Sequence, residues 1–223
     1  DFKNIEVAEP GFLNIYFQTS FWKKFLTKVI ALNSIYGSNF TSKKKYNIEF
    51  VSANPTGPLH VGHCRGAVLG DTLSNLLVFN NNKVTREYYV NDTGIQIENF
   101  VTSVYYRILE ITKDKPFPHD KDLYPGDYII DIAKKIIKNK AIKNFSNFKK
   151  IYKKLSLVSL KLCMQLIMSN LKILGVNHNN FIYESNLIRK KLVLKVIKKL
   201  KKKKYIYSGK LEAPKGEKSA DWK

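Results

Sequence analysis

Cysteine is scarce in this chain. Of 223 residues only Cys64 and Cys163 carry a thiol, and they stand far apart. A disulfide framework is excluded, and the usage fits a reducing compartment. Long apolar runs are missing too. None reaches the roughly 18 residues that a membrane span requires, so no membrane partner is expected. The opening residues show no signal-peptide pattern, and the expected location is the cytoplasm. Acidic residues are under-represented, with 18 Asp+Glu against 39 Lys+Arg and a net charge of +21. Such an excess attracts polyanions. Lys, Asn and Ile are abundant even in apparent loops, however, a pattern that an AT-rich genome imposes without any binding role. Both readings stay open. No repeat at solenoid spacing occurs. The chain opens on Asp1 and stops at Lys223 in a polar stretch, and we expect a fragment of a longer polypeptide.

What is present is enough apolar material for a core, 44% of residues, arranged with strand and helix periods. Residues 1–42 read as the tail of a preceding α+β module. Ile5–Ala8 and Phe12–Phe17 are strand-like around a Pro10-Gly11 turn. A helix follows, with Ser20 as its cap and Phe21, Trp22, Phe25, Val29 and Leu32 on one side. From residue 43 the pattern becomes β-α-β-α. A strand at Asn47–Ser52 leads through a Pro- and Gly-bearing loop into a helix at His60–Phe79. Val61, Val68, Leu69, Leu73, Leu76 and Leu77 are its expected buried side. A second strand at Val84–Val90 precedes a long helix with Ile97, Val101, Val104, Ile108 and Leu109 inward. Strands joined through a helix pair in parallel, so the expected fold is α/β, half of a Rossmann-like doubly wound sheet. Residues 113–160 read as a helical insertion. From 161 a helix runs to about Gly175, then a strand at Phe181–Glu184. A single helix at Ser185–Lys203 follows, capped by Ser185, and short strands lie at Tyr205–Tyr207 and Lys210–Leu211.

The segment that carries chemistry is Ala53-Asn54-Pro55-Thr56-Gly57-Pro58-Leu59-His60-Val61-Gly62-His63. It runs from a strand end through a tight loop into a helix start. Ligands of open α/β sheets bind at strand carboxyl ends, and a helix start offers free N–H groups and a positive dipole end. His60 and His63 are three apart and share one helix face, so both can donate to one phosphate. Gly62 lets a flat ring lie against the backbone. A bare pair of histidines at this spacing reads more readily as solvated or structural; the preceding Asn-Pro-Thr-Gly-Pro between strand and helix favours the phosphate. A metal site would use His60, His63 and Cys64, but no second pair with ligand spacing occurs, and His119 and His178 stand alone. No metal ligand is assigned.

These residues resemble the HIGH-type signature of class I aminoacyl-tRNA synthetases, here His-Val-Gly-His. The longer strings resemble arginyl-tRNA synthetases in particular: VSANPTGPLHVGH with Arg65-Gly66-Ala67-Val68 and Gly70-Asp71, then Arg86-Glu87-Tyr88-Tyr89-Val90-Asn91-Asp92-Thr93-Gly94 with Gln96. Tyr124-Pro125-Gly126-Asp127-Tyr128-Ile129, the opening IEVAEPGFLNI and the closing SGKLEAPKGEKSADW are similar again. The resemblance implies the first half of a class I catalytic domain over residues 43–223, behind the end of an N-terminal tRNA-binding module. It implies ATP-dependent activation of L-arginine, with Mg²⁺ assisting, and transfer to tRNA-Arg by a monomer that needs tRNA already in the first step. His60 and His63 inherit α-phosphate stabilisation, and Gly62 the adenine contact. Glu49, Ser52, Asn54, Asp92 and Gln96 are the expected arginine contacts. From charge alone, Glu49 suits a cationic substrate, and solvated-strand and helix-capping roles compete for Glu49 and Asp92. Cys64 departs from the family's commoner Gly. No KMSKS-like loop, helical anticodon-binding domain or further guanidinium-reading residues are visible; we expect them beyond Lys223 and expect this fragment to be inactive alone. A tRNA- or RNA-binding remnant of a split or decayed synthetase is the alternative.

Overall fold

The computed structural model describes residues 2–38, 43–140, 142 and 144–209. The first two strands, β1 (Phe2–Ala8) and β2 (Phe12–Phe17), form an antiparallel hairpin, and α1 (Thr19–Leu32) follows. Phe17 and Phe21 stack at 4.2 Å, and Trp22 meets Phe25 edge-on at 6.0 Å. Of the side expected to face inward on α1, Phe21, Phe25, Val29 and Leu32 are partly covered, while Trp22 is exposed. Gln18 rather than Ser20 occupies the cap position.

A three-stranded parallel sheet organises the rest: β3 (Lys45–Glu49), β4 (Lys83–Val90) and β5 (Asn180–Tyr183), paired in that order. Parallel neighbours need a crossover. The helix α2 (Val61–Phe79) supplies the first; α3 (Ile95–Lys113), α4 (Asp127–Lys138) and α5 (Phe148–Ile173) supply the second. The fold class is the expected α/β, Rossmann-like arrangement. All five inward residues expected on α3 are buried: Ile97, Val101, Val104, Ile108 and Leu109. Ile97, Val101, Val104 and Ile108 join Ile129 and Ile136 of α4 and Leu155, Cys163 and Ile167 of α5 in one core. The helix expected to begin at 161 is the second half of α5, which runs unbroken through residue 160.

Three expectations give way. On α2 the buried residues are Ala67, Gly70 and Ser74; of the expected side only Leu77 is partly covered, while Val61 and Leu69 are 86% and 69% exposed and Val68, Leu73 and Leu76 lie outside as well. The cause is close approach. A Cβ on Gly70 would sit 2.2 Å from the Phe50 ring, so only small residues can face the sheet. Second, the single helix expected at Ser185–Lys203 is two, α6 (Glu184–Arg189) and α7 (Leu192–Lys202). Lys191 between them has φ 54, a left-handed conformation that no right-handed helix continues through. Ser185 is not the cap. Its amide and hydroxyl both donate to Asp92, at 2.9 and 2.6 Å, so the acceptor at the start of α6 comes from the end of β4. Third, Tyr205–Tyr207 is not a strand; Lys210–Leu211 and the SGKLEAPKGEKSADW string from Lys210 onward lie outside the described residues.

His178, just before β5, packs on Phe50 at 4.2 Å and edge-on to Tyr88 at 5.2 Å. Its Nε2 lies 3.1 Å from the Phe50 carbonyl, and its buried Nδ1 has no partner. Burial pushes its pKa below the ordinary 6.5, against the opposing effects of the Phe50 carbonyl and Asp71 and with help from Arg86. The unfolded chain therefore binds this proton more readily, and the stability tied to a neutral His178 is lost as pH falls below about 6.5. In urea titrations between pH 7.5 and 5.5, His178→Gln is expected to flatten the decline in midpoint. An unchanged slope would show that the residue carries no such proton linkage.

Candidate functional site

The signature loop begins with strained backbone. Immediately after β3, Val51 and Ser52 have φ of 67 and 40. Left-handed geometry at a β-branched residue is costly and persists only where the surroundings impose it. Here Phe50 is buried against Gly70, and Ser52 Oγ accepts from the Tyr89 amide at 3.0 Å while donating to the Glu49 carboxylate. The turn thereby brings Glu49 and Ser52 together at the carboxyl end of β3. Glu49 itself stays exposed.

Past this turn, Asn54 Nδ2 donates to Gln96 Oε1 at 2.6 Å, tying the loop to the first turn of α3. Pro55 is buried and Pro58 exposed. Leu59 places its amide 3.3 Å from Asn170 Oδ1 of α5. The chain then enters α2 with His60 as the cap residue. His60 Nδ1 accepts from the Gly62 amide at 3.1 Å, and His63 Nδ1 accepts from the His60 amide at 3.3 Å. Both side chains thus bond helix-start amides that would otherwise be orphaned. The rings lie 3.8 Å apart, centroid to centroid. The flat ring against Gly62 is that of His60: a Cβ there would stand 3.0 Å from its Cε1.

This pairing sets the chemistry. With each Nδ1 accepting a backbone hydrogen, a neutral imidazole carries its proton on Nε2. Burial, and then the charge of His60 beside it, lower the pKa of His63 below 6.5. At neutral pH His63 is therefore an uncharged Nε2–H donor on the helix start, where the positive dipole end and donor groups suit an anion.

Asp92 and Pro55 border a cavity of ≈ 350 Å³ that also meets Val90, Met164, Tyr183 and Ser185. The expected residues thus fall into three joined sets: Glu49 with Ser52, Asn54 with Gln96, and Asp92 with Ser185. Ala53, Thr56, Gly57 and Val61 complete the loop and helix start. Among the described residues no group of three or more His, Cys, Asp or Glu is gathered to hold a metal, and no helix is long and apolar enough to cross a membrane.

Residues given no site role from sequence also shape the site. Tyr88 donates its hydroxyl to the Ala53 carbonyl at 2.8 Å. Arg86 lies 3.6 Å from Asp71 and donates to Asn75 at 2.6 Å, joining β4 to α2. Asn170 carried no local signal and Ser185 only that of a helix cap, because each meets its partner only through packing, 111 and 93 residues away in the chain.

Residues 25–210 match the family described as class I tRNA synthetases (R), catalytic domain. The curated arginine–tRNA ligase of Pelagibacter ubique is 50% identical over 99% of this chain and 38% of its own length. That of Orientia tsutsugamushi is 41% identical over 98% of this chain, again 38% of its own length. A solved Campylobacter jejuni structure assigned as an arginyl-tRNA synthetase superposes with a TM-score of 0.78 at 29% identity, covering 86% of this chain and 42% of that one. The Thermus thermophilus arginyl-tRNA synthetase shares the fold, at TM-score 0.55 and 18% identity over 90% of this chain and 32% of that one. The chain spans about 38% of the length of these curated relatives. With the match to the catalytic-domain family running through all three parallel strands, the signature loop and both histidines, the chain belongs to the class I tRNA synthetase (R) family.

Proposed function

We propose that these residues, within the full-length polypeptide, activate L-arginine with ATP and pass it to tRNA-Arg. One observation carries the reading: His60 and His63 stand side by side at the start of α2, each with Nδ1 bonded to backbone, at the end of the family's signature loop. The Nε2–H groups would meet the α-phosphate as a carboxylate oxygen of arginine attacks it and pyrophosphate leaves. Phosphoryl-type transfers gain mainly from positioning and from stabilising negative charge. Ala53 to Leu59 and Val61 would border the nucleotide, with Gly62 against adenine.

Glu49, held by Ser52, is the natural acceptor for the guanidinium, since a carboxylate takes it through paired hydrogen bonds. Asn54 and Gln96 would contact the amino acid as one bonded pair. Asp92 already accepts two hydrogen bonds from Ser185, but a carboxylate has about four lone-pair sites, so it can receive arginine as well. Mg²⁺ would come with ATP: it favours phosphate oxygens and retained waters over an all-protein cage, which suits this donor set. In the second step the terminal ribose hydroxyl of tRNA attacks the arginyl carbonyl and AMP leaves. Residues 1–42 would end an N-terminal tRNA-binding module, 43–223 would open the catalytic domain and 113–160 would be an insertion in it. The working protein is a cytoplasmic monomer in this reading.

The test is arginine-dependent, tRNA-dependent ATP–pyrophosphate exchange. The full-length polypeptide should catalyse it, and the isolated 223-residue chain should not. A full-length protein that responds to another amino acid, or to none, sinks the arginine reading. Exchange by the isolated chain sinks the statement that the site needs the rest of the protein.

A further inference from the structure

The string Tyr124-Pro125-Gly126-Asp127-Tyr128 lies outside the nucleotide loop, yet it ends on it. Tyr128, in the first turn of α4, donates its hydroxyl to the Thr56 carbonyl at 2.8 Å across 72 residues of chain. Its ring covers Gly57, where a Cβ would stand 3.3 Å from the ring carbon Cζ. The ring also folds back over Gly126, where a Cβ would stand only 2.7 Å from Cε1. Any side chain at 126 therefore drives the ring off its seat. The turn is anchored to α3 from both sides: the Tyr124 amide donates to Ser103 Oγ at 2.9 Å, and Arg107 donates to the Pro125 carbonyl at 2.9 Å. Cys163 of α5 backs the next carbonyl, with Sγ 3.8 Å from Gly57 O.

The loop needs such support. Pro55 and Pro58 lack N–H groups, so the segment cannot hold itself with a regular ladder, and its inward carbonyls require outside donors. Burial holds the Tyr128 phenol far above its ordinary range, which keeps the hydroxyl a donor at any working pH.

We propose that Tyr128 is a positioning residue for the nucleotide, its hydroxyl clamping the Thr56 carbonyl so that the signature loop delivers His60 and His63 at a fixed height. The proposal rests on the adenylate-forming reading above. In it the Tyr-Pro-Gly-Asp-Tyr string is a strut: Gly126 admits the ring, Tyr124 and Pro125 anchor the turn, and Tyr128 carries the contact.

The test uses the full-length polypeptide with Tyr128→Phe and Gly126→Ala. Hydrogen exchange of peptides covering residues 53–60 reads the clamp without any substrate. Both variants should exchange there roughly tenfold faster than wild type, the size expected for one lost neutral hydrogen bond, with α3 and α5 peptides unchanged. In pyrophosphate exchange both should lose roughly tenfold in kcat/KM for ATP while KM for arginine stays within about twofold. Unchanged loop exchange in Tyr128→Phe overturns the proposal, as does a parallel loss of ATP and arginine parameters, which marks general damage. A wild-type protein that shows no arginine-dependent exchange overturns the functional reading instead, and the hydrogen-exchange arm still decides the clamp.

Discussion

Replacing His60 or His63 with alanine in the full-length polypeptide is expected to lower kcat for pyrophosphate exchange by roughly 100- to 1000-fold, the usual cost of one preorganised donor at developing charge. The geometry makes the expectation specific. Each imidazole has Nδ1 occupied by a backbone amide, His60 by Gly62 and His63 by His60, so each offers one outward donor and no more. The two rings face one another at 3.8 Å and act as a unit. The double variant should therefore lose much less than the product of the single losses. His60 has a second duty, because it caps α2. Loss of a cap costs about 1 kcal/mol of stability and could be mistaken for lost chemistry. His60→Asn separates the two: asparagine caps well but presents no Nε2–H. It should restore the thermal midpoint lost in His60→Ala and leave the rate low. Recovery of the rate by asparagine would mean that capping, not phosphate contact, is what His60 provides.

The second large effect is expected far from any ligand. Gly70→Ala should destabilise the protein by about 2 kcal/mol, since overpacking a closed contact costs roughly 1–3 kcal/mol. Helix propensity alone predicts the opposite, a gain of about 1 kcal/mol. The sign therefore decides between them. The added Cβ would lie 2.2 Å from Phe50 Cγ and 2.6 Å from Phe50 Cβ. The second contact is the telling one, because rotating the ring does not move its own Cβ. Strand and helix must part. For a chain of this size the thermal midpoint should drop by about 4–8 °C. Activity should fall with it, because Phe50 precedes the strained Val51-Ser52 turn that aims Glu49 and the loop. A variant as stable as the wild type in urea would remove close packing as the reason for glycine there.

How far these features could be read in advance depends on what encodes them. The α3 stripe was legible because its apolar residues recur at the helical period and its other face is polar; burial followed the pattern at all five positions. On α2 the same reasoning pointed the wrong way. That helix is apolar nearly all round, so periodicity offers no preferred face, and the side that packs was chosen by the width of the gap beside Phe50. The split between α6 and α7 hinges on one left-handed lysine, a residue type with no bias toward that conformation. Ser185 looked like a cap from its local neighbours, but the acceptor that serves α6 comes from Asp92, 93 residues earlier.

The site divides in the same way. Proline and glycine chemistry, a strand before and a helix after, and two histidines on one helix face are local properties. They placed the Asn54 to His63 segment at a strand end and helix start, where the fold has it, and the neighbouring strings pointed to the arginine branch of class I that the family match then established. Contacts between distant segments are not local. The Asn54–Gln96 pair spans 42 residues, Tyr128–Thr56 spans 72 and Asp92–Ser185 spans 93. Residue type and spacing put each partner on its own element, but which atoms meet depends on how helices and strands settle against one another. That arrangement is set by the summed packing of the core, to which no short stretch of the chain holds the key.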